Sequence, residues 1–428
     1  MWSKRNVICF SEKYGYLLFV GNSSTFVKLD NKTFLQIQNY INKGEEISSE
    51  IYKELVNIGA IVDSDEEIFN RYMYKAFSNS FMTNHMELWL CMTNSCNFMC
   101  SYCYEKEEPV FLNKEKIGFI IPFIKKHKNI KSLTIYFYGG EPLLNIDAFF
   151  SVYDELSTID GIEIKYQLIT NGYLLNKENI EKLSFFENML YQITIDGTEE
   201  THNSRRPHKS NKDSYAKIIQ NLDTLYEFYK DKRNKPSVHI RYNVDNENKE
   251  DFHKVYQYFK EKYDGFFEVY SSPVECYDRM SKIERKLMNP KEYSDFVIEQ
   301  YEKYGIYENK FPNIQPPHLN CGAATQPYYC ISSKGDVYKC PADAGHEEKI
   351  YMQLEDYKII NPSIPSNYTI NSNPWNNETC KNCFLLFSCM GSCCKKMLQV
   401  LKFDDSLPCK PFKFNTKKFL EIYYENNK

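Results

Sequence analysis

The fold of this protein is indicated by one stretch, MELWLCMTNSCNFMCSYC, at residues 86–103. Residues 86–92 combine apolar and aromatic side chains in a run of strand length, which predicts a buried β-strand. Three cysteines follow directly, Cys96, Cys100 and Cys103, in the spacing CxxxCxxC. We therefore expect three neighbouring thiols on a loop at the end of that strand.

The chain beyond this stretch alternates between strand patterns and helical patterns. Six strands are expected, near residues 86–92, 133–138, 162–169, 190–195, 236–244 and 266–271. Such alternation favours a parallel sheet whose strands are joined by crossover helices. We predict an α/β fold, a partial (β/α)6 barrel, with its chemistry at the C-terminal ends of the strands.

The cysteine triplet has a specific chemical use. Three thiolates at this spacing can hold a [4Fe-4S] cluster and leave its fourth iron without a protein ligand. A zinc site completed by a distant ligand, or three ordinary buried thiols, would have the same local sequence.

Four further motifs follow the triplet, three of them at the ends of expected strands. They are Gly139-Gly-Glu-Pro142, Thr170-Asn-Gly172, Thr194-Ile-Asp-Gly197 and His202-Asn-Ser-Arg-Arg206. Each alone is typical of an ordinary turn. Together with the triplet, and in this order, they resemble the radical SAM superfamily.

This resemblance implies that the cluster binds S-adenosylmethionine (SAM) and cleaves it with one electron. The products would be methionine and a 5'-deoxyadenosyl radical, which abstracts hydrogen from a substrate. Tyr102 would pack against adenine, and Arg206 or, less directly, Arg241 would bind the SAM carboxylate; Arg241 could equally be a surface residue. The other implied SAM contacts are Gly139, Gly140, Glu141, Pro142, Thr170, Asn171, Thr194 and Asp196.

A second cysteine group lies near the C-terminus, where nine of the 15 cysteines fall within residues 321–409 and regular periodicity fades. We expect metal to hold this segment together. Its pattern resembles the SPASM domain of peptide-modifying radical SAM enzymes, with zinc as the alternative. The resemblance implies two more [4Fe-4S] clusters, one on Cys321, Cys330, Cys340 and Cys393 and one on Cys380, Cys383, Cys389 and Cys409.

Five cysteines need separate comment. Cys330 is outside the minimal SPASM pattern, so the first of these two clusters could keep an open iron, and Cys394 is a competing ligand beside Cys393. Cys9, Cys91 and Cys276 lie in apolar or strand contexts and are expected to be buried thiols.

Composition excludes several classes of protein. An odd count of 15 cysteines in 428 residues argues against a disulfide scaffold. A net charge of -4 gives no field for nucleic acid, which disfavours a nucleic-acid-modifying radical enzyme. The N-terminal apolar run, residues 7–10, is too short for a signal peptide, and no stretch approaches the ~18 to 20 apolar residues of a membrane span. We expect a cytoplasmic protein without membrane contact.

The first 80 residues form a pattern of their own. Strands at 14–20 and 26–29, two amphipathic helices and a short strand at 60–62 are expected, followed by a linker at 71–85. This unit resembles the winged-helix element with which peptide maturases grip a leader segment by strand addition; a simple capping domain is the alternative. The predicted domains are 1–80 (winged-helix-like), 81–310 (radical SAM) and 311–428 (SPASM, Cys-rich, iron-sulfur).

These resemblances predict a peptide maturase. The expected reaction is a thioether crosslink from a cysteine sulfur to a carbon of a leader-bearing precursor peptide, with an electron donor such as flavodoxin or ferredoxin. Carbon-carbon crosslinking, epimerisation and formylglycine formation are alternatives. Sulfatase maturases, which form formylglycine, resemble one another in an Asp where this chain has Pro341. An iron-sulfur redox sensor or a peptide-binding module is the non-enzyme alternative, and production of 5'-deoxyadenosine would exclude it.

Overall fold

The computed structural model describes residues 1–81, 84–187, 189–275, 286–312, 319, 321–403 and 407–427, without the side chains of 401–403. Cys276 lies outside the described residues. The strands are β1 (Asn6–Ser11), β2 (Gly15–Val20), β3 (Thr25–Leu29), β4 (His85–Thr93), β5 (Ser132–Gly139), β6 (Glu163–Thr170), β7 (Leu190–Thr194), β8 (Ser237–Val244), β9 (Phe267–Pro273), β10 (Tyr328–Ile331), β11 (Asp336–Tyr338) and β12 (Met352–Gln353).

The α-helices are given next, without the short 3-10 and π segments. They are α1 (Asn31–Lys43), α2 (Ser49–Asn57), α3 (Asp65–Phe81), α4 (Lys114–Gly118), α5 (Ile120–Lys125), α6 (Ile146–Leu156), α7 (Lys177–Leu183), α8 (Glu199–Arg205), α9 (Tyr215–Tyr229), α10 (Phe252–Tyr263), α11 (Pro290–Tyr304), α12 (Ser363–Ser366), α13 (Glu378–Lys381), α14 (Leu386–Cys389), α15 (Cys394–Phe403) and α16 (Thr416–Asn426).

The chain divides into two compact units. The first, called here the terminal unit, combines Met1–Met82, Asn289–Thr325 and Asn367–Lys428. The second, called here the sheet unit, combines Thr83–Met288 and Gln326–Ser366. Each unit is therefore assembled from segments that are distant in sequence.

The sheet unit is built on a nine-stranded sheet. Strands β4 to β9 are parallel and neighbour one another in chain order, and β10, β11 and β12 extend the sheet beyond β4. This mixed α/β fold with a parallel sheet confirms the six predicted strands. The last three strands were not predicted, because each is only two to four residues long and carries too little periodicity to read.

Burial explains why the six strands form. Residues such as Leu88, Leu90, Leu133, Ile135 and Ile193 are fully buried in the sheet. Near-continuous apolar runs of this kind are typical of parallel strands that are covered on both faces. The six strands consequently end at one common edge, where the loops that carry the predicted motifs begin.

The terminal unit begins with an antiparallel sheet in the order β1-β2-β3. Leu18, Val20, Phe34, Ile37 and Leu55 form the centre of its apolar core with α1 and α2. The two strands predicted at 14–20 and 26–29 pair as the β2–β3 hairpin, and Asp30 caps α1 by accepting a hydrogen bond from the backbone N–H of Thr33 at 2.8 Å.

Two local predictions in this region were wrong. Residues 71–81 belong to helix α3 and not to a linker, because Tyr72 stacks on Phe387 at 4.2 Å and Phe77 contacts Trp375 at 5.5 Å. The expected strand at 60–62 is reduced to one bridge between Ile61 and Trp2. In both places, packing against distant residues determines the structure.

Across the described residues, no helix is long and apolar enough to cross a bilayer.

Candidate active site

A cavity of about 640 Å³ opens in the sheet unit at the C-terminal ends of its parallel strands. This volume is in the range of small-molecule sites in proteins. The thiols of Cys96, Cys100 and Cys103 line it. The other predicted SAM contacts on its wall are Tyr102, Gly139, Gly140, Thr170, Asn171, Thr194, Arg206 and Arg241.

Three predicted contacts lie behind this wall. Glu141 and Asp196 are fully buried and Pro142 is also buried. One carboxylate oxygen of Glu141 accepts hydrogen bonds from the Thr170 hydroxyl at 2.7 Å and the Leu143 N–H at 3.1 Å. Its other oxygen accepts from the Asn171 N–H at 2.8 Å. Glu141 thus ties the end of β5 to the end of β6 and positions two residues of the wall.

Asp196 has a similar supporting place behind β7. Its carboxylate accepts hydrogen bonds from the Asn243 N–H at 3.1 Å and from the Tyr102 hydroxyl, and it lies 3.9 Å from the Arg206 guanidinium. The Tyr102 hydroxyl also accepts hydrogen bonds from Arg206 and from the Asn243 amide. Asp196 therefore fixes the orientation of the aromatic ring and the arginine that face the cavity.

The two glycines of the predicted motif are required by the backbone around them. A Cβ atom on Gly140 would lie 2.3 Å from the Ser95 carbonyl oxygen, and one on Gly139 would lie 2.3 Å from the Thr93 carbonyl oxygen. Gly139 also has a φ of 124°, which other residues rarely adopt. The glycines, predicted only as SAM contacts, thus also permit close packing of the β5 loop on the cysteine loop.

Some residues of the site were not predicted. Asn243 lines the cavity and accepts a hydrogen bond from Arg241 Nε at 2.8 Å. Asn97 supports the wall residue Asn171 by accepting a hydrogen bond from its amide at 2.8 Å. Glu105 also faces the cavity, and burial raises its pKa to about 7. The sequence could have indicated Asn243, because it lies near the C-terminal end of a predicted parallel strand, where polar residues often take part in an active site.

Charges around the triplet are mixed. Burial raises the pKa values of Cys96 and Cys103 to about 12, and the neighbouring carboxylates Glu141 and Glu105 add to these increases. Burial also raises the pKa of Cys100, which Arg206 opposes. The thiols act on one another electrostatically, so the three side chains lie close together and are suited to sharing one iron-sulfur cluster.

The C-terminal cysteines fall into three local groups. In the sheet unit, Cys330 is buried on β10 and acts electrostatically on Cys340, which lines the cavity. In the terminal unit, Cys321 lies near Cys393, and a hydrogen bond joins it to the Cys394 thiol. Cys394 is therefore the closer neighbour of Cys321, a contact that sequence spacing left open.

The third group contains the four cysteines predicted for the last cluster. Cys380 interacts with Cys383, Cys389 and Cys409, so the terminal unit brings all four thiols together. Burial raises the pKa of Cys383, and Lys413 and Arg5 oppose this increase. Lys413 Nζ lies 3.3 Å from the Cys409 sulfur. Four thiols beside cations form a donor set that fits a [4Fe-4S] cluster.

The remaining points concern single-ion metal sites and the two described cysteines outside the predicted clusters. Among the described residues, no three His, Cys, Asp or Glu side chains surround a position for a single metal ion. Cys9 is half-buried on β1 and Cys91 is fully buried on β4, where its thiol lies 3.5 Å from the Thr93 carbonyl oxygen. The buried-thiol prediction is therefore confirmed for Cys91, and Cys9 is only partly enclosed.

Comparison with known proteins places this site in context. Residues 90–259 match the model of the Radical SAM superfamily. The radical SAM cyclopropyl synthase TigE of Paramaledivibacter caminithermalis is 24% identical, over 95% of this chain and 92% of that protein. A cysteine-type anaerobic sulfatase-maturating enzyme of Clostridium novyi is 25% identical, over 70% of this chain and 85% of that protein.

Solved structures share the fold. Streptococcus suis SuiB, in its complex with the precursor peptide SuiA, superposes with a TM-score of 0.53 at 16% identity. The match covers 94% of this chain and 96% of SuiB. At this level of identity the likeness concerns the fold alone.

Proposed function

We propose that this chain, whose residues 90–259 match the Radical SAM superfamily, is a maturase of a ribosomally made precursor peptide. The proposed product is a thioether crosslink between a cysteine sulfur and a carbon of a neighbouring residue. The relatives named above, a cyclopropyl synthase and a sulfatase maturase, support radical SAM chemistry of the maturase type.

One observation carries the proposal. The three thiols of the triplet and eight predicted SAM contacts line the same cavity, although they come from the ends of five strands and their loops. Cys96, Cys100 and Cys103 would hold the [4Fe-4S] cluster, and the Gly139, Thr170 and Arg206 side of the wall would hold SAM. Bound together, the cluster and SAM supply a radical that abstracts hydrogen from a substrate.

The chain's own residues position and enclose these groups. Glu141 holds the Thr170 hydroxyl and the Asn171 backbone in place, and Asp196 holds Tyr102 and Arg206. His202 is fully buried, and its Nδ1 accepts the Asp196 N–H at 3.2 Å. Such support keeps the wall rigid, which favours one orientation of the bound substrate over others.

We further propose that the chain carries three [4Fe-4S] clusters, with two in a SPASM-like region of residues 311–428. Cys380, Cys383, Cys389 and Cys409 are the better supported set, because the structure brings all four thiols together. The set Cys321, Cys330, Cys340 and Cys393 remains a proposal, with Cys394 as a competitor for its last position. Forming each crosslink removes two electrons from the peptide. One would leave with the hydrogen atom that the 5'-deoxyadenosyl radical abstracts, and a cluster of this kind would accept the other, while a donor such as flavodoxin or ferredoxin would supply the electron that cleaves SAM.

The peptide substrate is proposed from the N-terminal region. Residues 1–80 would act as a winged-helix-like recognition element, and β3 lies at one edge of its three-stranded sheet. An edge strand can accept a further strand from a peptide. The precursor-peptide complex of SuiB, which shares the fold, makes a peptide partner reasonable for this chain.

A second product is favoured by a specific observation. The cyclopropyl synthase TigE matches 95% of this chain, which supports carbon-carbon bond formation as the alternative to a thioether. Formylglycine formation is less favoured, because this chain has Pro341 at the position where sulfatase maturases resemble one another in having an Asp. Epimerisation would leave the peptide mass unchanged.

Coexpression of the chain with a candidate precursor peptide tests these alternatives. We expect the peptide to lose two hydrogen atoms for each crosslink, measured by mass spectrometry, together with 5'-deoxyadenosine in the reduced reaction. Alkylation with iodoacetamide separates the products, since a thioether consumes a cysteine thiol and a carbon-carbon bond leaves it free. A matched chain with Cys96→Ala should give neither change, whereas Cys9→Ala on β1 should behave as the unchanged chain.

Amide hydrogen exchange tests the recognition role without removing residues 1–80. Deletion would be hard to interpret, because Phe26 on β3 stacks on Tyr423 at 4.5 Å and Phe19 contacts Phe412 at 5.1 Å. We expect an added leader peptide to slow exchange in Thr25–Leu29, since strand addition ties up free edge N–H groups. Unchanged exchange there, with a scrambled peptide as the control, would reject strand addition to β3.

A further inference from the structure

The segment that carries Cys380, Cys383 and Cys389 packs directly against the N-terminal element of the terminal unit. Lys4 Nζ donates a hydrogen bond to the Asn382 side chain at 2.8 Å. The Tyr72 hydroxyl donates to the Phe387 carbonyl at 2.7 Å, and its ring stacks on that of Phe387. The surroundings of these thiols therefore include residues from the opposite end of the chain.

A glycine marks how close this packing is. A Cβ atom on Gly21 would lie 2.1 Å from the Phe384 carbonyl oxygen and 2.6 Å from that of Arg5. No side chain fits there, so the β2–β3 hairpin, the chain at Arg5 and the loop after Cys383 meet backbone to backbone. The position of Arg5 relative to Cys383 is fixed by this contact.

Arg5 itself is an unusual residue for such a place. Its side chain is 1% exposed, and its guanidinium carbon lies 4.5 Å from the centre of the Phe387 ring. Asp65 is 3.5 Å away on one side, and Arg5 Nε has no hydrogen-bond partner among the described residues. A buried cation with an unpaired N–H is costly unless a further negative group is nearby.

Two lysines complete the surroundings on the C-terminal side. Lys413 Nζ donates to the Cys409 sulfur at 3.3 Å, and Lys410 Nζ donates to the Ser388 carbonyl beside Cys389. Apart from the thiols themselves, the charged side chains that act most strongly on Cys380, Cys383 and Cys389 are Lys413, Lys410 and Arg5, while Asp65 pairs with Arg5. Positive charge thus prevails around the four thiols.

We propose that Arg5, Lys410 and Lys413 form a cationic cradle that raises the reduction potential of a cluster held by Cys380, Cys383, Cys389 and Cys409. Reduction adds negative charge to a cluster, so fixed cations stabilise the reduced form. Hydrogen bonds to the ligating sulfurs act in the same direction. The inference rests on the proposed function, because it requires that this cluster is present.

Redox titration of the full-length chain tests the cradle. The chain would carry Cys96→Ala, Cys100→Ala and Cys103→Ala, so that only the remaining clusters contribute to the electron paramagnetic resonance signal. We expect Lys413→Gln to make reduction of one cluster about tenfold less favourable, which equals about 59 mV for one electron. Arg5→Gln should shift the same transition in the same direction.

Matched variants separate charge from packing. Lys413→Arg and Arg5→Lys keep the charge and should leave the potential near that of the parent, and Lys417→Gln removes an exposed charge as a control. Lys413 is only partly buried, so its variants are informative even if changes at Arg5 impair folding. Unchanged potentials in both glutamine variants at full iron content would overturn the inference and leave the proposed function standing.

Iron analysis distinguishes the remaining outcomes. If Cys380→Ala, Cys383→Ala and Cys389→Ala together leave the iron content of the parent unchanged, no cluster is present there, and both this inference and the three-cluster proposal fail. Iron loss in Lys413→Gln and Arg5→Gln would overturn the potential-setting role, since the cations would then serve only to hold the cluster.

Discussion

Two groups of cysteines in this protein differ in what surrounds them. Cys96, Cys100 and Cys103 line an open cavity, and the carboxylates of Glu141, Asp196 and Glu105 act on them together with Arg206. Cys380, Cys383, Cys389 and Cys409 lie among cations supplied by Arg5, Lys410 and Lys413. The same side-chain type thus lies among mixed charges in the first group, where acids and Arg206 oppose each other, and mainly among cations in the second.

This difference has a chemical consequence. A cluster that must donate an electron to SAM benefits from surroundings that disfavour its reduced form, and a cluster that receives electrons benefits from the reverse. The contrast is consistent with the proposed function, in which the first group would hold the cluster that cleaves SAM and the second would hold a cluster that handles electrons.

The largest expected effect comes from removing each group in turn. The anaerobically reconstituted chain should bind roughly 12 irons, and Cys96→Ala, Cys100→Ala and Cys103→Ala together should leave roughly 8. SAM cleavage should then be lost, measured as 5'-deoxyadenosine. Replacing Cys380, Cys383 and Cys389 instead should remove a similar amount of iron but leave SAM cleavage detectable. Equal loss of SAM cleavage from both sets of changes would show that the two cysteine groups do not differ in this role. Tightly bound zinc in place of iron would refute the proposal that either group holds an iron-sulfur cluster.

A substitution at Gly140 should affect only the first group. Gly140→Ala places a methyl group against the Ser95 carbonyl, so the cysteine loop must move by an ångström or more. We expect SAM cleavage to fall about 100-fold, because displacements of that size disrupt the reacting geometry. Gly118→Ala in helix α4, where nothing lies within 4 Å of the added atom, is the control. Iron bound by the second group should be unaffected, and its loss would indicate general unfolding.

Asp196 offers a smaller and more local test. Asp196→Asn keeps the shape of the side chain but removes the charge that orients Tyr102 and Arg206. We expect SAM to bind about tenfold more weakly, since charge-assisted hydrogen bonds contribute about 1.5–3 kcal/mol. Equilibrium binding of SAM measures this, with Asp251→Asn, which bonds Thr198 and Thr201, as the control. An unchanged dissociation constant would show that Asp196 does not support the SAM side of the wall.

The smallest effect concerns pH. Burial, followed by the charges of Arg206 and Arg205, holds the pKa of His202 well below its ordinary value. Below about pH 6.5 the unfolded chain binds a proton at this histidine that the folded chain excludes, so stability falls as pH decreases. The contribution is at most about 1.4 kcal/mol per pH unit.

Urea unfolding of the apo protein at pH 7.5 and 5.5 measures this contribution. The fluorescence of Trp89, the tryptophan of the sheet unit, follows unfolding of that unit in a chain that also carries Trp2→Phe and Trp375→Phe. His202→Gln should reduce the loss of stability at the lower pH, whereas His346→Gln, which changes an exposed side chain, should not. An equal loss in His202→Gln would mean that other groups cause it.

Much of the architecture could be predicted from local pattern. All six parallel strands were found, because each is a buried run longer than four residues and bounded by turns or helices. Strand β1 was missed, since Asn6–Ser11 shows no clear alternation. The part of helix α3 from residue 71 onward was taken as a linker, because its Tyr72 contacts a residue 315 positions away.

The site was predicted unevenly for a similar reason. Motif order identified the residues that gather at the cavity, but Glu141 and Asp196 proved to lie behind the wall. Asn243 takes part in the wall, and Asn97 supports it through Asn171. Sequence order says which strand end a residue follows. It does not say whether the side chain points into the cavity or supports a neighbour, since that depends on contacts between strands.

The sequence by itself determined the chemistry that is available: the spacing of the thiols, the glycines and the strands that carry them is written in neighbouring residues. Only the tertiary structure decided which residues surround those thiols. Arg5 lies beside Cys383, and Cys394 beside Cys321, because burial of apolar side chains brings distant segments together. The free energy of that burial depends on the whole unit, so no short stretch of sequence contains it.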